Sequence, residues 1–123
     1  MRAAERSVVL IEDDALVRTL LKRRLQDAGW HVIGLSDGRK LEEVLAQGAV
    51  DLIVLDLGLP FLDGLALLEG LRARGCGIPV LVLTAYQLPY LMDTVRGAGA
   101  NDLVQKPYDQ EALIERMQRL LAA

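Results

Sequence analysis

Asp51-Leu52-Ile53-Val54-Leu55-Asp56 is the stretch on which the fold turns. Consecutive aliphatic residues between two acids leave no polar face, and a strand apolar on both sides belongs in the middle of a parallel sheet covered above and below. Asp56 therefore closes a buried strand. The segment Leu57 to Gly64 contains Gly58, Pro60 and Asp63-Gly64 and reads as a loop. A helix then runs to about Arg74 with Leu65, Leu68 and Leu71 facing inward.

The same alternation continues in both directions. Upstream, Ser7-Val8-Val9-Leu10-Ile11 is a short β-branched strand ending in the acidic cluster Glu12-Asp13-Asp14. A helix follows with Leu16, Leu20, Leu21, Leu25 and Ala28 on its apolar stripe, capped by Asp14 and stopped by Gly29. Trp30 to Leu35 reads as a second strand, Ser36-Asp37-Gly38 as a turn, and Leu41, Val44 and Leu45 as the inner face of a helix ending at Gly48. Downstream, Pro79 to Leu83 forms a strand closing on Thr84, and a short helix spans roughly Tyr90 to Arg96 before Gly97-Ala98-Gly99-Ala100. A last strand, Leu103-Val104-Gln105, ends on Lys106-Pro107. Asp109 then caps a helix with Leu113, Ile114, Met117, Leu120 and Leu121 at helical spacing. Strands that each lead into a helix demand an α/β fold, a parallel sheet with helices on both faces, because right-handed crossovers leave few other topologies.

The 123 residues, 52% of them hydrophobic, suffice for one core, so residues 1–123 are expected to form a single domain. Lys and Arg total 14 against 17 Asp and Glu, a formal charge of −3 without the basic field that direct nucleic-acid binding requires. Cys76 is the only cysteine, which excludes an internal disulfide and fits a reducing compartment. Met1 to Ser7 has no apolar core of a secretory signal, and the apolar run Ile78 to Ala85 is far shorter than the roughly 20 residues a membrane span needs. The expectation is a cytoplasmic protein with no membrane contact.

A doubly wound sheet binds ligands at the carboxyl ends of its strands, where the strand order reverses. In a flavodoxin-like order, 2-1-3-4-5, that crevice lies between the first and third strands and gathers Glu12, Asp13 and Asp56, with Thr84 and Lys106 delivered by the fourth and fifth. Three carboxylates at close range repel, and the usual relief is a hard divalent cation. Mg²⁺ fits, with Asp13 and Asp56 as direct ligands, Glu12 acting through water and the Gly58 main-chain carbonyl completing the protein share. Lys106 and Thr84 are suited to the oxygens of a phosphoryl group, one as a point charge and one as a hydrogen-bond donor. Asp56 is a carboxylate of the kind that forms an aspartyl-phosphate. Each residue alone also has an ordinary reading: Asp56 as a turn former, Thr84 as a strand-end residue, Lys106 as a solvated lysine. His31, Trp30, Cys76 and Tyr108 read as structural, and Arg116 and Arg119 as a solvated helix face.

Val8-Val9-Leu10-Ile11-Glu12-Asp13-Asp14, Asp51 to Pro60, Val80 to Ala85 and Gly99-Ala100-Asn101-Asp102 leading to Lys106-Pro107-Tyr108 together resemble the CheY-like receiver domain of bacterial two-component response regulators, over essentially the whole chain. The resemblance implies a phosphorylation-dependent switch rather than an enzyme with turnover. Asp56 takes a phosphoryl group from a partner sensor histidine kinase or phosphotransfer protein with obligatory Mg²⁺, and the phosphorylated form slowly dephosphorylates itself. It further implies a cis bond at Lys106-Pro107 and movement of Thr84 toward the phosphoryl oxygen. An aromatic on the fifth strand then turns inward and remodels the face formed by the fourth helix, fifth strand and fifth helix, which is also the contact between two copies in a homodimer.

Two positions leave that pattern. Leu103 stands where the family has its switch aromatic, which puts output coupling in question. Gly58 and Tyr86, two residues past Asp56 and Thr84, flank the path of attacking water and point to an altered dephosphorylation rate. The competing readings fare less well on chemistry. A phosphatase using an aspartyl-phosphate needs a second acid where Gly58 stands. A flavin or nucleotide carrier needs a glycine-rich rather than acidic first turn. A scaffold that is never phosphorylated has no use for all five pocket residues.

Overall fold

In a computed structural model that describes residues 6–58 and 61–122, strand and helix alternate from end to end. The elements are β1 (Ser7–Ile11), α1 (Ala15–Asp27), β2 (His31–Leu35), α2 (Leu41–Gln47), β3 (Leu52–Leu57), α3 (Phe61–Ala73), β4 (Val80–Thr84), α4 (Leu91–Ala98), β5 (Asp102–Gln105) and α5 (Gln110–Ala122). All pairings are parallel and the strand order is β2-β1-β3-β4-β5, the flavodoxin-like order expected above. Most of the charged start, Met1 to Glu5, and the turn expected at Pro60 lie outside the described residues. Among the described residues no helix is long and apolar enough to cross a membrane.

Alternate residues of each strand serve opposite faces of the sheet. Val9, Ile11, Ile53, Leu55, Val80 and Val82 pack under α2, α3 and α4 through Leu41, Leu68, Leu71, Leu91 and Val95. Val8, Leu10, Leu52, Val54, Leu81 and Leu83 pack under α1 and α5 through Leu21, Leu25, Leu113 and Met117. Asp14 caps α1 as expected, its Oδ1 accepting from the Val17 amide at 3.0 Å.

Three expectations are corrected. The stripe of α1 is narrower than its leucines suggest: Leu21 and Leu25 are buried, whereas Leu16 and Leu20 are 67% and 49% exposed. At about 100° per residue, positions 16 and 20 stand at least a quarter of a turn away from 21 and 25 on the helix. The loop after β3 is also shorter, because β3 runs through Leu57 and α3 begins at Phe61. Gly64 therefore works inside α3, not as a turn: a Cβ there would lie 2.0 Å from Leu57 Cδ2, so glycine lets the helix approach the strand. Finally, α4 starts at Leu91, with Tyr90 outside it as the N-cap in a left-handed conformation, φ 61 and ψ 17.

At the end of the sheet remote from the acidic cluster, Arg72 ties three segments together. Its guanidinium donates to the carbonyls of Gly99 (2.9 Å), Cys76 and Ile78 (both 2.8 Å) and to Asn101 Oδ1 (2.9 Å). Asn101 Oδ1 also accepts from the Val80 amide at 2.9 Å, so α3, β4 and the α4–β5 turn share one network. Arg116 is likewise not an idle solvated cation: Nε and Nη2 reach the two carboxylate oxygens of Asp102 at 2.8 and 2.6 Å. Burial opposes the charge of Asp102, yet these hydrogen bonds hold its carboxyl below the ordinary range.

Candidate functional site

Parallel register carries the site residues to one end of the sheet. Leu57 stands opposite Thr84, and Thr84 opposite Gln105, so Asp56, Thr84 and Lys106 come off neighbouring strand ends. The Lys106 amide donates to the Thr84 carbonyl at 2.8 Å, continuing the ladder one residue past β5. The Lys106-Pro107 bond is cis. On the other side of Asp56, the Glu12 amide donates to the Leu35 carbonyl at 3.0 Å and brings the first strand's acids to the same edge.

Lys106 Nζ pairs with Asp56 Oδ2. The Asp56 side chain is only 5% exposed, a level at which an unpaired carboxylate is costly. Burial works against the charge on Lys106, but the hydrogen bond and charge of Asp56, with Glu12 behind, hold its ammonium above the ordinary value. Glu12 is itself buried. Burial first, then hydrogen bonding to Asp56 and repulsion from it, push its carboxyl up to about 8. At neutral pH this favours the protonated form of Glu12. Two facing carboxylates avoid double ionisation in this way.

Thr84 is fully buried and its hydroxyl is engaged on both sides, donating to the Leu57 carbonyl at 3.1 Å and accepting from the Tyr86 amide at 3.0 Å. Asp13 is exposed and lines a cavity of about 530 Å³ together with Asp56, Gly58 and Asp63. A second cleft, about 350 Å³, is bounded by Asp56, Gly58, Ala85, Tyr86 and Lys106. Asp56 is among the residues lining both.

The structure thus brings Glu12, Asp56, Thr84 and Lys106 together and sets Asp13 and Gly58 at the rim of the same cavity. Among the described residues no three His, Cys, Asp or Glu side chains stand grouped as a ready-made metal cage. Two carboxylates and a carbonyl at a solvent-accessible cavity are nevertheless the donor set that Mg²⁺ accepts, since it keeps several waters and takes its remaining oxygens from phosphate.

Two supporting residues were not legible from the pattern. Arg18 Nη1 donates to the Glu12 carbonyl at 2.7 Å, fixing the turn that carries the acids, with its stem laid across Gly34, where a Cβ would lie 3.4 Å from Arg18 Cδ. Gln105 Nε2 donates to the Tyr86 carbonyl at 3.2 Å and tethers the β4–α4 loop. A glycine inside an otherwise apolar strand is the one signal that could have drawn attention to Arg18. Nothing in the spacing marks Gln105.

A buried, lysine-paired aspartate stands between acidic and hydroxyl neighbours at the switch point of this sheet, and the chain belongs to the response regulator receiver domain family, whose model matches residues 8–118. It is 40% identical over 114 residues to the transcriptional regulatory protein PhoP of Escherichia coli K12, covering 93% of this chain and 51% of that protein. The chain therefore spans about half the length of the curated relatives it matches. Among solved structures it is similar to the chemotaxis protein CheY4 of Vibrio cholerae, with a TM-score of 0.85, 28% identity and coverage of 96% of this chain and 100% of that one. It is also similar to the receiver domain of a sensor histidine kinase from Pseudomonas aeruginosa PAO1, solved with a magnesium ion coordinated in its active-site cleft. That match has a TM-score of 0.83 and 29% identity, covering 98% of this chain and 100% of that one.

Proposed function

We propose that this domain is a phosphorylation-dependent switch in which Asp56 accepts a phosphoryl group from a phosphohistidine on a sensor histidine kinase or phosphotransfer protein. The observation that carries this reading is the pairing of Asp56 with Lys106. An Asp56 carboxylate oxygen attacks phosphorus, the bond from phosphorus to the imidazole nitrogen breaks, and the imidazole departs with the electron pair and takes a proton from water. Lys106 moves its charge from the carboxylate to the phosphoryl oxygens, and Thr84 exchanges the Leu57 carbonyl for one of them as its acceptor. Asp13, Asp56 and the Gly58 carbonyl would hold Mg²⁺, with Glu12 reached through water. When bound, the cation neutralises charge on the transferring group.

The reading extends to output. The phosphorylated domain alters the face formed by α4, β5 and α5, which meets an effector or a second copy of the chain, and works in the cytoplasm without itself contacting nucleic acid or membrane. It is a phosphoacceptor that assists its own slow dephosphorylation through the cleft between Gly58 and Tyr86, not an enzyme that turns over a substrate. Incubation with acetyl phosphate and Mg²⁺ followed by intact-mass measurement tests the central step. A phosphate-sized gain, absent in Asp56→Asn, is expected; no gain at any Mg²⁺ concentration would overturn it.

A further inference from the structure

At the carboxyl end of β2 lies a cleft of opposite character to the acidic crevice. It encloses about 560 Å³ and is lined by three cations, Arg18 of α1 with Arg39 and Lys40 of the β2–α2 turn, against a single acid, Asp37. The cleft shares Asp37 and Arg39 with the cavity beside Asp56 but contains none of Glu12, Asp13, Asp56, Thr84 or Lys106. In a chain whose formal charge is −3, this concentration of cations is a local arrangement and not a consequence of composition.

The charges of the cleft are poorly compensated from within. Asp37 is committed to Arg39, its Oδ2 accepting from Nε at 2.9 Å and pairing with Nη2 at 2.8 Å, while Oδ1 accepts from the Arg39 amide at 2.9 Å. Arg18 gives one N–H to the Glu12 carbonyl, a neutral acceptor, and its other N–H groups make no hydrogen bond among the described residues. The Lys40 ammonium makes no hydrogen bond or ion pair among the described residues either, nor does that of Lys22. Gly34 gives the basic side chains their room: a Cβ there would already touch Arg18 Cδ at 3.4 Å and Lys22 Cδ at 3.8 Å, so a longer side chain on the strand would displace both stems.

We propose that this cleft is a second, separate anion site that binds a compact oligophosphate, with Arg18, Arg39 and Lys40 as its cationic walls and the Ser36 hydroxyl as a further donor. Sheets of this kind bind ligands beyond the carboxyl ends of their strands, and a concave surface lined by one sign of charge focuses its field on the opposite ion. Two guanidinium groups favour phosphate over carboxylate, because their planar forks match the spacing of phosphoryl oxygens. Among the described residues no aromatic side chain lines the cleft, so nothing there stacks on a nucleobase, and the phosphate chain itself is the recognised part.

The test is a titration of the ¹⁵N-labelled chain with inorganic pyrophosphate in magnesium-free buffer, followed through the amide signals. Saturable shifts centred on Gly34, Leu35 and Ser36 are expected. Lys40→Gln should weaken binding roughly three-fold, the effect of one exposed charge, and Arg39→Gln should weaken it more, because it also frees the Asp37 carboxylate to repel the ligand. Both side chains are exposed, so the variants keep the fold, and Arg119→Gln on α5 supplies a control of equal charge away from the cleft. AMP is expected to bind no more tightly than phosphate, and an oligoglutamate peptide of matched charge more weakly than pyrophosphate. Shifts confined to Gly58, Thr84 and Lys106 would put the anion in the phosphoacceptor pocket and overturn the second site. Absence of saturation, or equal weakening by Arg119→Gln, would reduce the effect to general charge attraction and also overturn it. An oligoglutamate peptide that binds as tightly as pyrophosphate, or AMP that binds more tightly than phosphate, would sink the assignment to a bare phosphate chain.

Discussion

The Thr84 hydroxyl and the Leu57 carbonyl are joined at 3.1 Å across the β3–β4 pair, and this bond commits the only proton Thr84 can donate. In Thr84→Val the shape is kept, but the Leu57 carbonyl and the Tyr86 amide each lose a partner. Urea unfolding should show a loss of about 1–3 kcal/mol, the usual cost of leaving buried polar groups unsatisfied, with Thr84→Ser recovering most of it.

Replacement of Lys106 by Met leaves Asp56 buried without its cation. Because Lys106 keeps part of its side chain in water, the loss should be smaller than for a fully buried pair, about 1–2 kcal/mol by urea unfolding. Acceptance of phosphate from acetyl phosphate should fall at least ten-fold by intact-mass time course. An unchanged rate would remove Lys106 from the chemistry.

Glu12 supplies a dependence on pH whose sign is set by its raised value, about 8 in the folded chain against an ordinary 4.5. The folded state binds this proton more tightly than the unfolded state, so the contribution is complete below about 4.5 and is lost as pH rises through 8. In metal-free buffer the melting temperature should decline between pH 6 and 9, and Glu12→Gln should flatten that decline. A parallel decline in both proteins would assign it to other groups.

Arg72 offers four donor contacts to four acceptors in two connecting segments, a geometry that suits the guanidinium fork and not an ammonium. Arg72→Lys should cost about 2–4 kcal/mol in urea unfolding through the carbonyls it abandons. Gly99→Ala should be comparably damaging, since φ is 116 there and a Cβ would lie 2.4 Å from Arg72 Cγ. Neither change touches the end of the sheet that carries Asp56, so on the proposed function phosphate labelling of Asp56 should survive in whatever fraction folds.

Much of this molecule was legible before any coordinates. The all-aliphatic run Leu52 to Leu55 demanded a covered parallel strand, and alternation with helical segments limited the sheet to few topologies. Glu12, Asp13, Asp56, Thr84 and Lys106 could be named because strand ends are where such folds bind ligands, and each chemistry is carried by residue type. These are local or topological properties, written in periodicity and order.

Tertiary structure decided the rest, because the remaining features depend on direction and burial. Whether Leu16 and Leu20 face the core depends on how α1 is rotated on the sheet, and it turns them outward. Whether Glu12 holds a proton depends on how much water and which charges surround it, and that follows from Asp56 and Lys106 arriving from strands far along the chain. The bond from Thr84 to Leu57, the tether from Gln105 to Tyr86 and the left-handed turn at Tyr90 are likewise agreements among distant segments. Asp56 could be picked out from sequence alone as the candidate for a reactive carboxylate, but its pairing with Lys106 and its seclusion from water exist only once the sheet has formed.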